Sequence, residues 1–197
     1  MPNAKQAALE KLGLALVDPE DSPRAYAELL RMARRVRESH RRAVGLLPAS
    51  PPVAVPAVAI QLAAVMADVC AGPIAFVDAN TRWPALAAVA PHGDPQADGS
   101  ARVTLCRGVV AFTRPPSQDD RIDVDWLQDT LDERAHGFAH VLVDLTGFAS
   151  MGEHARAFDM LDGVLVVARA GVSREGDLLA LQAQVPRARM MGVLLSG

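Results

Sequence analysis

The sequence is poor in cysteine: Cys70 and Cys106 are its only two in 197 residues, far apart and each inside an apolar segment. That leaves no basis for a disulfide framework or a CxxC metal knuckle, and buried thiols in a reducing compartment are the expectation. Positive charge is not in excess either. Twenty Lys and Arg against 23 Asp and Glu give a net charge of −3, so no global basic field holds nucleic acid by its phosphates, and no nucleic-acid partner is expected. The first 16 residues are amphipathic and include Lys5, Glu10 and Lys11, unlike the basic start, apolar core and small-residue cleavage site of a secretory leader. A cytoplasmic location is expected. The uncharged run 43–67 has the length of a membrane span, but Pro48, Ser50, Pro51, Pro52, Pro56 and Gln61 interrupt it. It reads as strand, loop and helix of a soluble core, not as an integral membrane segment.

What is present is apolar residue in abundance, 50% of the chain, with a mean hydropathy of +0.14. That suffices for one well-buried domain over 1–197, with a helical amino-terminal part, 1–42, packed on it. Apolar residues recur at helical spacing over 4–16, and a second helix is predicted over 24–42, with Pro23 in its first turn. Short β-type runs then alternate with helical patterns. Strands are predicted at 43–47, 74–78, 103–106, 109–112, 140–145, 163–168 and 190–195, and helices at 55–71, 123–134, 153–160 and 174–184. Such alternation predicts an α/β fold of three layers, αβα, around a mainly parallel sheet. Runs 74–77, 141–143 and 164–167 are apolar without polar alternation, as expected of central strands covered on both faces. No internal repeat is visible.

In an open parallel sheet, ligands bind beyond the carboxyl ends of the strands. Asp78 ends one apolar strand and Asp144 another. In a phosphate-loop ATPase such carboxylates hold Mg²⁺ and orient water; the plainer reading is structural carboxylates satisfied by local hydrogen bonds. Other chemistry-bearing residues offer less. His136 and His140 are four apart, but Gly137 lies between them at a helix-to-strand junction, so no zinc pair is expected. His154, Ser150 and Glu153 are ordinary residues of a loop and helix start. No catalytic or metal-ligating residue is assigned.

Several strings in order resemble the bacterial tyrosine kinases, which belong with the MinD/ParA ATPases. Residues 77–84, Val-Asp-Ala-Asn-Thr-Arg-Trp-Pro, are similar to the family's VDADxRxP segment, with Asn80 in place of its second aspartate. Val141-Leu142-Val143-Asp144 resembles its Walker B strand, 162–171 its DGVLLVVRAG strand, and 192–196 its GVVLN strand with Ser196 for the base-contacting asparagine. Glu28, Arg31 and Arg34 match the E-x-x-R-x-x-R oligomerisation motif. Their three-residue spacing keeps them on one helical face, while Tyr26, Leu29, Leu30, Ala33 and Val36 face the core. The resemblance implies a P-loop NTPase-like fold of MinD/ParA type.

It also locates a departure. Matching 59–63 to the family's AANLA places Val55, Pro56 and Ala57 where the Walker A Lys-Ser-Thr stands. Phosphate binding there needs glycines whose N–H groups converge on the ligand, a lysine and a magnesium-binding hydroxyl. Residues 48–56 contain no glycine and no lysine, and the magnesium position has no hydroxyl; their prolines have no N–H. Neither ATP nor Mg²⁺ is expected as a cofactor, and Val55, Pro56, Ala57, Asp78, Asn80 and Asp144 would be a vestigial nucleotide site. Tyr26 is the only tyrosine, so the tyrosine cluster that such kinases phosphorylate is missing. The expectation is an inactive scaffold or regulator, its partners another copy, an active homologue or a membrane-associated export protein, with recruitment to the inner membrane and a link to polysaccharide synthesis implied only by the resemblance. The alternatives are a divergent ATPase or kinase and a MinD/ParA-like positioning factor.

Overall fold

The computed structural model describes residues 16–117 and 121–196; most of the helix expected over 4–16 lies outside them. The described chain forms an eight-stranded mixed sheet with helices on both faces, a three-layer α/β fold. In chain order the elements are α1 (Pro23–Glu38), β1 (Ala43–Pro48), α2 (Val55–Val69), β2 (Ile74–Asp78), β3 (Asp94–Pro95), β4 (Ala101–Cys106), β5 (Val109–Thr113), α3 (Val124–Asp129), β6 (His140–Asp144), α4 (Phe148–Met151), α5 (His154–Met160), β7 (Gly163–Arg169), α6 (Glu175–Gln184) and β8 (Met190–Ser196). The strands lie in the order β3-β4-β5-β2-β6-β1-β7-β8. From β5 to β8 all pairing is parallel, and β3 and β4 add an antiparallel edge.

Sequence pattern follows position in the sheet. β2, β5 and β6 are buried at every residue, whereas the outer β4 alternates, with Ala101, Val103 and Leu105 inside and Arg102 and Thr104 outside. Two apolar clusters result, one on each face. One holds α1, α2 and the strand residues Val44, Leu46, Phe76 and Leu165; the other holds α3, α5, α6 and Leu47, Val77, Val143 and Val166. A fully buried Leu or Phe such as Leu46 or Phe76 contributes roughly 2 kcal/mol of transfer free energy. Gly45 in β1 has no room to grow: a Cβ there would stand 2.7 Å from both Leu145 and Leu161.

Two expected helices end earlier than their patterns suggest. α1 stops at Glu38, not at residue 42, because His40 turns into the left-handed region at φ +56° and the Ser39 hydroxyl donates to the Val36 carbonyl at 2.7 Å. The arginines beyond the stop are used internally. Arg41 donates to the carbonyls of Ala188 and Arg189 at 2.8 and 2.9 Å, and Arg42 to that of Ala135. The helix expected over 123–134 keeps α geometry only through Asp129, then widens to a π turn over Thr130–Arg134 and a 3₁₀ turn over Ala135–Gly137. This path brings Arg134 onto Asp98 at 2.9 Å and the Ser100 hydroxyl at 2.7 Å.

Candidate functional site

β2 and β6 are parallel neighbours, and their register pairs Asp78 directly with Asp144. Both aspartates are buried, at 0% and 1% exposure. Asp78 accepts the Leu86 N–H at 2.8 Å, the Ala85 N–H at 3.3 Å and the Thr113 hydroxyl at 2.9 Å. Asp144 accepts from its own turn, the Thr146 N–H at 2.9 Å and the Thr146 hydroxyl at 2.6 Å. Burial pushes the Asp78 carboxyl up to about 6 against the pull of those three bonds. Burial and then the neighbouring Asp78 carboxylate push Asp144 up to about 7. Both carboxyls are thus held above the ordinary aspartate range, and two neighbouring groups of this kind titrate as a pair.

The loops beyond these strands close over the pair. Asn80 is buried and accepts the Trp83 N–H at 3.2 Å. Gly147 turns the chain at φ +86° beside it, 3.4 Å from the Asn80 amide nitrogen to where a Cβ would stand. Thr81 accepts the Asp123 N–H at 2.7 Å, and Asp123 in turn caps α3 by accepting the Trp126 N–H at 2.9 Å. Outside this lid Arg82 stacks over the exposed Trp83 ring at 3.9 Å. Sequence reading placed Asp78, Asn80 and Asp144 together but missed the aspartates' partners Thr113 and Thr146. Only Thr146 left a local signal, since a hydroxyl two residues after an aspartate is a common turn-forming pair.

The turn between β1 and α2 is built differently. Ser50 to Val53 close a turn, the Val53 N–H donating to the Ser50 carbonyl at 3.1 Å; the Val55 N–H donates to Val53 at 3.1 Å and the Ala49 N–H to Val167 at 2.8 Å. Pro51 and Pro52 stand exposed on the turn, and Pro56 occupies the first helical turn. Val53 and Val55 are buried, at 3% and 0%, and belong to the apolar cluster on the α2 side. Pro56 and Ala57 are half-buried. The Ser50 hydroxyl is buried with no hydrogen-bond partner.

Glu28, Arg31 and Arg34 are all exposed on α1, with Glu28 and Arg31 paired to each other. Ala33 and Val36 are buried and Tyr26, Leu29 and Leu30 pack against the same cluster, as the helical spacing predicts. The histidines are dispersed. His140 is buried with Nδ1 2.9 Å from the Arg41 carbonyl, and His154 packs edge-on to Phe158 with ring centres 5.7 Å apart. Among the described residues no group of three or more His, Cys, Asp and Glu forms a candidate metal site, and no helix is long and apolar enough to cross a membrane.

No protein-family model matches the chain, and no curated protein matches it in sequence. Solved structures do. The BceF tyrosine kinase domain superposes with a TM-score of 0.65 at 16% identity, over 97% of this chain and 86% of that one. The kinase domain of the Escherichia coli tyrosine kinase ETK gives 0.65 at 18%, over 85% and 75%. The chain has the fold of bacterial tyrosine kinase domains. A ParA family ATPase from Chlorobium tepidum TLS, with a TM-score of 0.54 at 13% identity over 79% of this chain and 72% of that one, shares the architecture. At such identities the likeness concerns the fold, and what the site does rests on its own residues.

Proposed function

We propose that the protein is a catalytically inactive member of this fold that works as a regulatory or scaffolding partner through protein–protein assembly. The observation that carries this reading is the use of the backbone donors between β1 and α2. A phosphate cradle works because several main-chain N–H groups converge, unpaired, on the anion. Here Pro51, Pro52 and Pro56 have no N–H to offer, and those of Ala49, Val53 and Val55 are already engaged with carbonyls. The side chains that would face a phosphate are turned inward as core, since Val53 and Val55 are buried. The residues present therefore do not fit ATP and Mg²⁺. Asp78 and Asp144 fit the same reading, because internal donors of Leu86, Ala85, Thr113 and Thr146 already bond their carboxyls.

What remains available for function is the surface. The E-x-x-R-x-x-R helix presents Glu28, Arg31 and Arg34 to solvent, and this face is assigned to assembly with another copy or with an active kinase homologue. Polysaccharide synthesis or export is the process to which the sequence resemblance points. Calorimetry with ATP and magnesium is the direct test. No binding at millimolar nucleotide is expected; binding that disappears in Asp144→Ala would replace this reading with that of a divergent ATPase. Arg31→Glu combined with Arg34→Glu should abolish self-association or capture of the partner while the circular dichroism stays unchanged.

A further inference from the structure

The two edges of the sheet are finished differently. An edge strand offers unpaired N–H and C=O groups to any other chain, and shortness, charge, proline or a covering element guards against that. At one edge β3 is two residues long, Asp94 and Pro95, both exposed, so that it is short, charged and proline-bearing at once. At the other edge β8 runs for seven residues, Met190–Ser196, and among the described residues it pairs with β7 alone. Its sequence, Met-Met-Gly-Val-Leu-Leu-Ser, has neither charge nor proline. Val193 and Leu195 on it are 50% and 68% exposed. Nothing in its own sequence protects this edge.

Beside β8 an apolar groove of about 740 Å³ runs between α1, α2 and the strand. Leu29 and Met32 of α1, Val58 of α2 and Val193 and Leu195 of β8 line it, and Val17 brings the incoming chain to its wall. Leu16, the residue before, is 46% exposed. Three of the six large apolar side chains exposed among the described residues, Leu16, Val193 and Leu195, therefore gather here. Exposed singly such side chains are ordinary, but clustered they mark a contact surface.

The nearest source of a cover is the chain itself. Residues 1–15, outside the described residues, directly precede Leu16 and Val17. In sequence Leu9, Leu12 and Leu16 recur at i, i+3 and i+7 with Ala8 and Ala15 beside them, whereas Gln6, Glu10 and Gly13 share the opposite side. The exposed Leu16 is thus the last member of a leucine stripe whose other members lie upstream. Twelve helical residues, 4–15, span about 18 Å, against about 23 Å for the seven residues of β8. A helix that short is marginal in water and gains its stability from an apolar surface to lie on.

We propose that residues 4–15 form a helical strap that lies in the groove between α1, α2 and β8, its leucine stripe against Val58, Val193 and Leu195, and so closes the open edge of the sheet. The strap is held by a few leucine contacts at the end of the chain, which places it among the least stable parts of the fold and makes it displaceable. Its release bares the apolar side chains and the unpaired backbone of β8 together. The proposal does not depend on the inactive-scaffold reading.

Hydrogen exchange followed by mass spectrometry on the full chain tests this. In the unaltered chain the amides of 4–15 should exchange about tenfold or more slowly than those of a free peptide of the same sequence. Leu9→Asp/Leu12→Asp should return them to the free-peptide rate and quicken β8, because two buried leucines are lost, while β2 and β6 stay unchanged. Leu195→Asp alters a side chain that is 68% exposed and belongs to neither apolar cluster, so the fold is kept, and it should release 4–15 in the same way. Free-peptide rates over 4–15 in the unaltered chain overturn the proposal, and so does protection of 4–15 that survives Leu195→Asp. Protection that fades on dilution overturns it as well, since the segment would then lie in the groove of a second copy.

Discussion

The carboxyl ends of β2 and β6 and the turn after β1 sit side by side in the sheet, yet they are built on opposite principles. The strand ends carry two aspartates and an asparagine and turn them inward onto Leu86, Ala85, Thr113, Thr146 and Trp83. The turn after β1 is built of proline and buried valine. One region uses ionisable groups as structure, and the other is core. A buried carboxylate with internal donors is costly to remove, because its partners are left unpaired. A phosphate loop is held only by what it binds, so without a ligand its glycines confer freedom and no stability.

The largest test of this contrast is Asp78→Ala. It leaves the Leu86 and Ala85 N–H groups and the buried Thr113 hydroxyl without their acceptor. A loss of about 3 kcal/mol in urea-unfolding free energy is expected. If the variant unfolds at the same urea concentration as the parent, Asp78 is not structural and the strand-end region is as free for ligand chemistry as in an ATPase.

The next effect is smaller and changes with pH. Asp78 and Asp144 are raised to about 6 and about 7, above the ordinary aspartate value of 3.8. The folded state thus binds protons more tightly than the unfolded chain, and its contribution to stability, full below about pH 4, is lost as pH rises through 6 to 7. Asp144→Asn removes one of the two charges while keeping an acceptor for Thr146. It should leave stability near pH 5 little changed and raise it at pH 8 by on the order of 2 kcal/mol, or about 4–8 °C in Tm. Equal shifts at both pH values in thermal scans would contradict a raised Asp144 carboxyl. Asp98 shows the opposite balance: burial pushes it up, but the Ser100 hydroxyl and Arg134 bring it down to about 2. It therefore adds stability above the ordinary aspartate range that is lost as pH falls toward 2, and being near the surface it adds little.

Much of this was legible in the sequence, and what was not has identifiable causes. β2 falls at 74–78 as its unbroken apolar run predicts, because a strand covered on both faces leaves no polar alternation to blur its ends. The two aspartates were legible for the same reason, each being the first polar residue after such a run. Their partners were not. Thr113 lies 35 residues from Asp78 in sequence and meets it only because β5 pairs with β2. The end of α1 was hidden because Arg41 and Arg42 suit a helix locally, and what pulls them out is bonding to carbonyls 148 and 93 residues away. The widening of α3 was hidden likewise, since residues 124–134 read as a regular amphipathic helix and Arg134 meets Asp98 and Ser100 only in the folded sheet.

The smallest effect falls on the turn itself. Pro51 and Pro52 are exposed and make no side-chain hydrogen bonds, so their contribution lies in the unfolded chain, whose freedom they restrict. Pro52→Gly should lower stability by about 1 kcal/mol, read as an earlier urea midpoint with an unchanged slope. The same variant sharpens the contrast between the regions. If the turn were a cradle disabled only by proline, a glycine there would restore weak nucleotide binding. If it has become core, the Val53 and Val55 side chains still fill the space and the engaged N–H groups still point at carbonyls. Calorimetry of Pro52→Gly with ATP and magnesium should then stay flat, since one more flexible residue does not free a donor that already has an acceptor.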